Sequence, residues 1–126
     1  MTGQLTPLVV AAVLVAGSVG AVIRFALSRA LPVRPGHLPR GILIVNVVGS
    51  GLAGAFFGLA ERAAIDGDLR LVLVTGFCGG LTTFSTWSVE TIELLDGGRW
   101  RAAILNVLVT LALGIAAAAG AYLLLR

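Results

Sequence analysis

The chain has 126 residues, of which 58% are hydrophobic and only 12% charged. A soluble domain is nearer half apolar and about a quarter charged, so this composition, with a mean hydropathy of +1.03, excludes an ordinary water-soluble fold. The net charge of +3 rests on arginines alone, with no lysine. They are scattered between apolar blocks, which excludes a nucleic-acid-binding face.

A membrane-crossing helix needs about 20 mostly apolar residues, and four segments qualify, at about 7–31, 41–60, 71–95 and 102–125. The first has no basic residue before it and runs on past Val22. It therefore reads as a retained span and not as a cleaved signal. Three connections hold most of the charge: 32–40, rich in proline, then 61–70, then 96–99. The expectation is an all-α membrane protein, one four-span domain over 1–126.

The arginines divide almost evenly between the two faces. Arg29, Arg34, Arg40, Arg99 and Arg101 fall on one, and Arg62, Arg70, Arg126 and the amino terminus on the other. So even a division gives no orientation by the positive-inside rule. It fits insertion in both orientations followed by antiparallel pairing, and equally a topology fixed by other features.

Several residues break the rule that lipid-facing helices are apolar. Arg24 lies in the first span, where it marks a functional position or snorkels to the interface. In the second span Asn46, Ser50, Gly54 and Gly58 recur every four residues, so they share a helical face. Gly54 and Gly58 allow close backbone approach, and Asn46 is either interhelical glue or a site residue. The fourth span repeats the device with Asn106, Thr110, Gly114 and Ala118, which places Asn106 and Thr110 on one polar track.

The third span is the least regular. Gly79 and Gly80 are followed by Thr82, Thr83, Ser85, Thr86 and Ser88, within apolar flanks. The paired glycines and threonines are poor helix formers, so a break is expected here, near the membrane centre. Backbone groups exposed at that depth need protein or a water-filled cavity to receive them, and broken helices of this kind build ion sites. No lysine follows the glycines, so this is not a phosphate loop. Glu90, after the break, is a functional candidate or an interfacial residue. The lone Cys78 reads as a small buried residue.

The segment from Gly79 to Glu90, GGLTTFSTWSVE, closely resembles the signature of the Fluc (CrcB) fluoride channel family. Residues 17–24, ending in Arg24, and 45–49, containing Asn46, resemble the family's first- and second-span motifs. The resemblance implies a fluoride-selective passive channel of the plasma (inner) membrane that exports fluoride and lowers its toxicity. It implies a homodimer of antiparallel copies in dual topology, with two pores. It further implies a structural sodium ion at the dimer centre, held by the carbonyls of Gly79 and Thr82. The pore aromatics fall at Phe84 and Trp87, the pore asparagine at Asn46 and the fourth-span track at Asn106, Thr110 and Gly114. Glu90 falls at the acidic position near the pore, Ser85 is a candidate hydroxyl donor, and Arg24 stands at an anion entrance. Four positions depart from the pattern: Trp87 replaces phenylalanine, Ile42 replaces the threonine of some members, and Asn106 and Gly114 replace tyrosine or serine.

Two other readings compete. A four-span multidrug exporter would need a glutamate in the first span, and none is there. A scaffold subunit explains the small-residue faces but not the hydroxyl-rich break. An enzyme is disfavoured, because no nucleophile–base pair or metal-ligand cluster is evident and His37 stands alone in a loop.

Overall fold

The computed structural model describes residues 5–126, which form helices and connections with no strand among them. Helix α1 (Pro7–Ala30) starts where the Thr6 hydroxyl accepts from the Val9 N–H at 3.3 Å, with proline at its first position. That pairing suits a helix start, because proline lacks the N–H that would be orphaned there anyway. Prolines at 32, 35 and 39 then keep the chain out of helix until α2 (Arg40–Glu61). The turn that ends α2 carries Ala63 at a φ of 58°, and Asp66 caps the next helix by accepting from the Leu69 N–H at 2.8 Å.

The third span, Gly67–Asp96, is composite. It opens with α3 (Gly67–Leu71), widens into a π-helical stretch (Val72–Cys78) and returns to helix in α4 (Gly79–Leu81). After the break, α5 (Ser85–Asp96) resumes and ends at Gly97 and Gly98, the latter at a φ of 73°. The long α6 (Trp100–Leu125) closes the chain.

The four expected spans are present, with shifted ends. The third starts at Gly67, four residues before the apolar run, because Asp66 supplies a cap that hydropathy alone does not register.

The break itself lies elsewhere than the glycines suggested. Gly79 is helical, with φ −63° and ψ −38°, whereas Thr82 is extended at φ −81° and ψ 156°. The glycines serve packing instead. A side chain on Gly80 would run into the Gly17 carbonyl, and one on Gly20 into the carbonyl of Phe77. A Cβ on Gly76 would lie 2.8 Å from the Val13 carbonyl oxygen. Thus α1 and the first half of the third span touch backbone to backbone.

The pairing of α2 with α6 uses the same device. Gly54 lies against the Ala118 carbonyl, and a Cβ on Gly58 would lie 2.8 Å from that of Tyr122. At the end of this pair the Tyr122 hydroxyl donates to Glu61. Ile42, Val45 and Leu81 form the buried centre, with Leu27, Leu52, Phe77 and Trp87 around it. Most other large apolar side chains are exposed, Leu8 and Leu124 among them, as expected of helices solvated by lipid.

These contacts separate two kinds of glycine. Gly54→Ala is expected to destabilise the protein by ~1–3 kcal/mol through overpacking. Gly120→Ala, which meets nothing within 4 Å, should be neutral or slightly stabilising because alanine favours helix. Unfolding in detergent micelles measures both, and equal losses would contradict the packing described.

Candidate functional site

The break is held open from α2. The Thr83 N–H donates to Asn46 Oδ1 at 2.8 Å, and Asn46 Nδ2 donates to the Thr83 carbonyl at 3.1 Å. Both bonds fix the orientation of the carboxamide, since a flipped amide would set donor against donor. Thr83 then starts α5. Its hydroxyl accepts from the Thr86 N–H at 3.2 Å, as a capping threonine does. The same hydroxyl lies 3.2 Å from Ser85 Oγ and donates to Thr86 Oγ1 at 3.3 Å.

These bonds have a consequence for two carbonyls. In a continuous helix the N–H of residue i bonds to the carbonyl of residue i−4. The N–H groups of Thr83 and Thr86 would then bond to the carbonyls of Gly79 and Thr82. Here they go to Asn46 and to the Thr83 hydroxyl. The Thr82 hydroxyl turns back to the Cys78 carbonyl at 2.9 Å, leaving the Thr82 carbonyl apart from it. Among the described residues no three His, Cys, Asp or Glu side chains gather as metal ligands, so a cation bound here would rely on backbone oxygen.

Beside the break lies a cleft of about 410 Å³. Asn46 and Ser50 of α2, Thr82, Phe84 and Trp87 of the third span, and Thr110 of α6 contribute to its wall. Phe84 is 77% exposed although it lines the cleft, so the cleft opens at the chain's own surface. The rings of Phe84 and Trp87 stand 5.5 Å apart, tilted by 54°. Such a tilt presents ring edges, which carry partial positive charge, beside ring faces. The wall therefore combines amide, hydroxyl and aromatic-edge donors on an apolar base, with no acidic side chain.

A family model described as "CrcB-like protein, Camphor Resistance (CrcB)" matches residues 11–122, which is nearly the whole chain. The chain belongs to the CrcB family. A relative in Serratia proteamaculans is 41% identical over 80% of this chain and 80% of its own length. One in Yersinia pestis is 46% identical over 81% of this chain and 84% of its own. One in Pyrococcus furiosus is 46% identical over 78% and 80%. These are named fluoride-specific ion channel FluC or FluC 1.

The segment from Gly79 to Glu90, singled out by its resemblance to the family, contains the break. The cleft gathers Asn46, Thr82, Phe84, Trp87, Thr110 and Gly114 of the expected residues. Ser85 is exposed and reaches the cleft only through Thr83. Asn106 does not line the cleft: it is 1% exposed and its amide donates to Thr91 Oγ1 at 3.0 Å. Asn106 and Thr110 thus have different surroundings, although four residues apart, because α5 lies over the lower turn and the cleft over the upper one. Arg24 on α1 is outside the cleft, and Glu90 lines a different cavity.

Sequence reasoning missed Thr83 as the residue clamped and as the cap of α5. The signal was a threonine three residues before Thr86, just ahead of a helical run.

Asn46→Ala removes both clamp bonds, each contributing about 0.5–1.5 kcal/mol. Amide exchange at Thr83 in detergent is expected to quicken about tenfold or more. Asn46→Asp, which keeps the acceptor and loses the donor, should fall between. Unchanged exchange in Asn46→Ala would contradict the clamp.

Proposed function

We propose that this chain is a fluoride-specific ion channel of the plasma (inner) membrane, passing fluoride out of the cytoplasm without energy input. The observation that carries this reading is the cleft. Its wall is mostly apolar, and its polar groups include the Asn46 amide and the Thr110 hydroxyl beside the tilted pair Phe84 and Trp87. The names of the relatives point to the same ion.

Fluoride is small and strongly hydrated, so a selective path must replace its water with N–H, O–H and ring-edge donors while remaining weak enough to release it. One N–H of the Asn46 amide is given to Thr83. An amide nitrogen carries two N–H groups, which leaves the second for the anion. Thr110, on the facing helix, and Ser85, beside the break, offer hydroxyls. Arg24 raises anion concentration near an entrance, as fixed charge does.

The working unit in this reading is an antiparallel pair of identical chains with two pores. One chain leaves Phe84 and most of α1 uncovered, and the nearly balanced arginines suit insertion in both directions. The carbonyls of Gly79 and Thr82, relieved of their helical donors, have the oxygen chemistry that suits a sodium ion at the centre of such a pair. When bound, the ion supplies a fixed positive charge that holds the broken segments together.

Liposomes containing the purified chain are expected to release fluoride down its gradient, with little chloride release. Phe84→Ala and Asn46→Ala should lower the rate about tenfold or more, equivalent to ~1.4 kcal/mol. Chloride release equal to fluoride would reject the reading. Cross-linking between single-cysteine copies in the membrane tests the pair. Replacing sodium by a large organic cation should lower the pair's thermal stability and sodium should restore it, whereas indifference to sodium would remove the ion from the reading.

A further inference from the structure

Among the described residues, besides Arg24 Nε on α1, three side-chain atoms are sealed from solvent without a hydrogen-bond partner: Trp87 Nε1, Thr110 Oγ1 and Glu90 Oε2. Each such group costs about 1–3 kcal/mol when left unpaired. Their placement is ordered. Trp87 and Thr110 line the cleft already described, and Glu90 lines a second cavity of about 290 Å³. Trp87 and Glu90 stand three residues apart on α5, on one face and roughly 4.5 Å apart along the axis. The unpartnered atoms thus lie at the cleft and, about one turn further along α5, at the second cavity. The bond from Asn106 to Thr91 ties α6 to α5 at this level.

The second cavity differs from the cleft in charge. Arg34, from the connection after α1, and Arg99, just before α6, line it together with Glu90 and Glu93 of α5. Its wall thus carries two fixed positive charges beside two carboxyl groups. Arginine keeps its charge at any working pH.

We infer that this second cavity is the far mouth of the anion pathway, where Arg34 and Arg99 collect or release a small monovalent anion. The inference rests on the channel reading above and extends it from the cleft to the opposite end of the route. Arginines at a mouth act mainly by raising local anion concentration. Their effect should be large when screening is weak and should vanish when it is strong.

The test is the double variant Arg34→Gln/Arg99→Gln in liposomes. At about 10 mM salt, where the Debye length is about 30 Å, the initial fluoride rate is expected to fall about threefold to tenfold. At about 1 M salt, where that length is about 3 Å, variant and parent should converge. Arg101→Gln is the control. Arg101 is exposed at the same end, stacks on Trp100 and lies outside both cavities.

A double variant as fast as the parent at low salt would overturn the inference. So would an equal loss in Arg101→Gln, which would mean general surface charge. Binding is read separately by titrating ¹⁵N-labelled protein in nanodiscs with sodium fluoride and, in parallel, sodium chloride. The Nε–H signals of Arg34 and Arg99 should move with fluoride while that of Arg101 stays. If the parent passes no fluoride, the channel reading fails. The titration still decides the mouth, because stationary Arg34 and Arg99 signals reject it.

Discussion

One side chain on α2 holds the third span apart at its middle. Asn46 offers an acceptor and a donor in the plane of its amide, and Thr83 answers with its N–H and its carbonyl. A backbone left open in hydrocarbon is tolerated only when such partners exist. With the amide in place, α4 can stop at Leu81 and α5 can begin again at Ser85 under the cap of Thr83. The aromatic pair, the hydroxyl group cluster and the released carbonyls all take their positions from that interruption.

The rest of the chain keeps Asn46 opposite Thr83. Lipid tails give helices no hydrophobic reason to associate, so close packing and hydrogen bonds must do it. Gly49, next to the hydroxyl residues, meets the Thr82 side chain, while Gly54 and Gly58 bring α6 onto α2. On the other side Gly17 and Gly20 seat α1 against Gly76 and Gly80. Glycine appears here as the residue that lets backbones touch, and the tight seams flank the break on both sides. The tie between Glu61 and Tyr122 fastens the far end of the α2–α6 pair.

What the sequence made legible follows from which interactions are local. Apolar runs of membrane length announce the spans, and four-residue spacing announces the faces of α2 and α6, because both are properties of a single helix. The signature from Gly79 to Glu90 announced the family, and the family model agrees. The exact point of the break was not legible. Glycine's poor helix propensity favoured Gly79 and Gly80, but both stay helical, Gly80 packed on the Gly17 backbone of α1, and a side chain 37 residues away bonds the chain at Thr83 instead. The π-helical stretch Val72–Cys78 left no mark in the composition either. Asn106 and Thr110 looked equivalent because spacing reports a face and says nothing about which neighbour covers each turn of it.

The separation of 37 residues between clamp and clamped segment also sets an order in time. Chains are made from the amino terminus, so Asn46 is delivered before the hydroxyl-rich segment that needs it. The least lipid-compatible stretch of the protein thus emerges when its receiving amide already exists. The reverse holds for Thr91, whose partner Asn106 is made later. That hydroxyl meanwhile donates to the Trp87 carbonyl within its own helix, at 2.8 Å. A segment that a translocation machinery would otherwise hand to bare lipid arrives beside a prepared host, and the last helix has only to close over it.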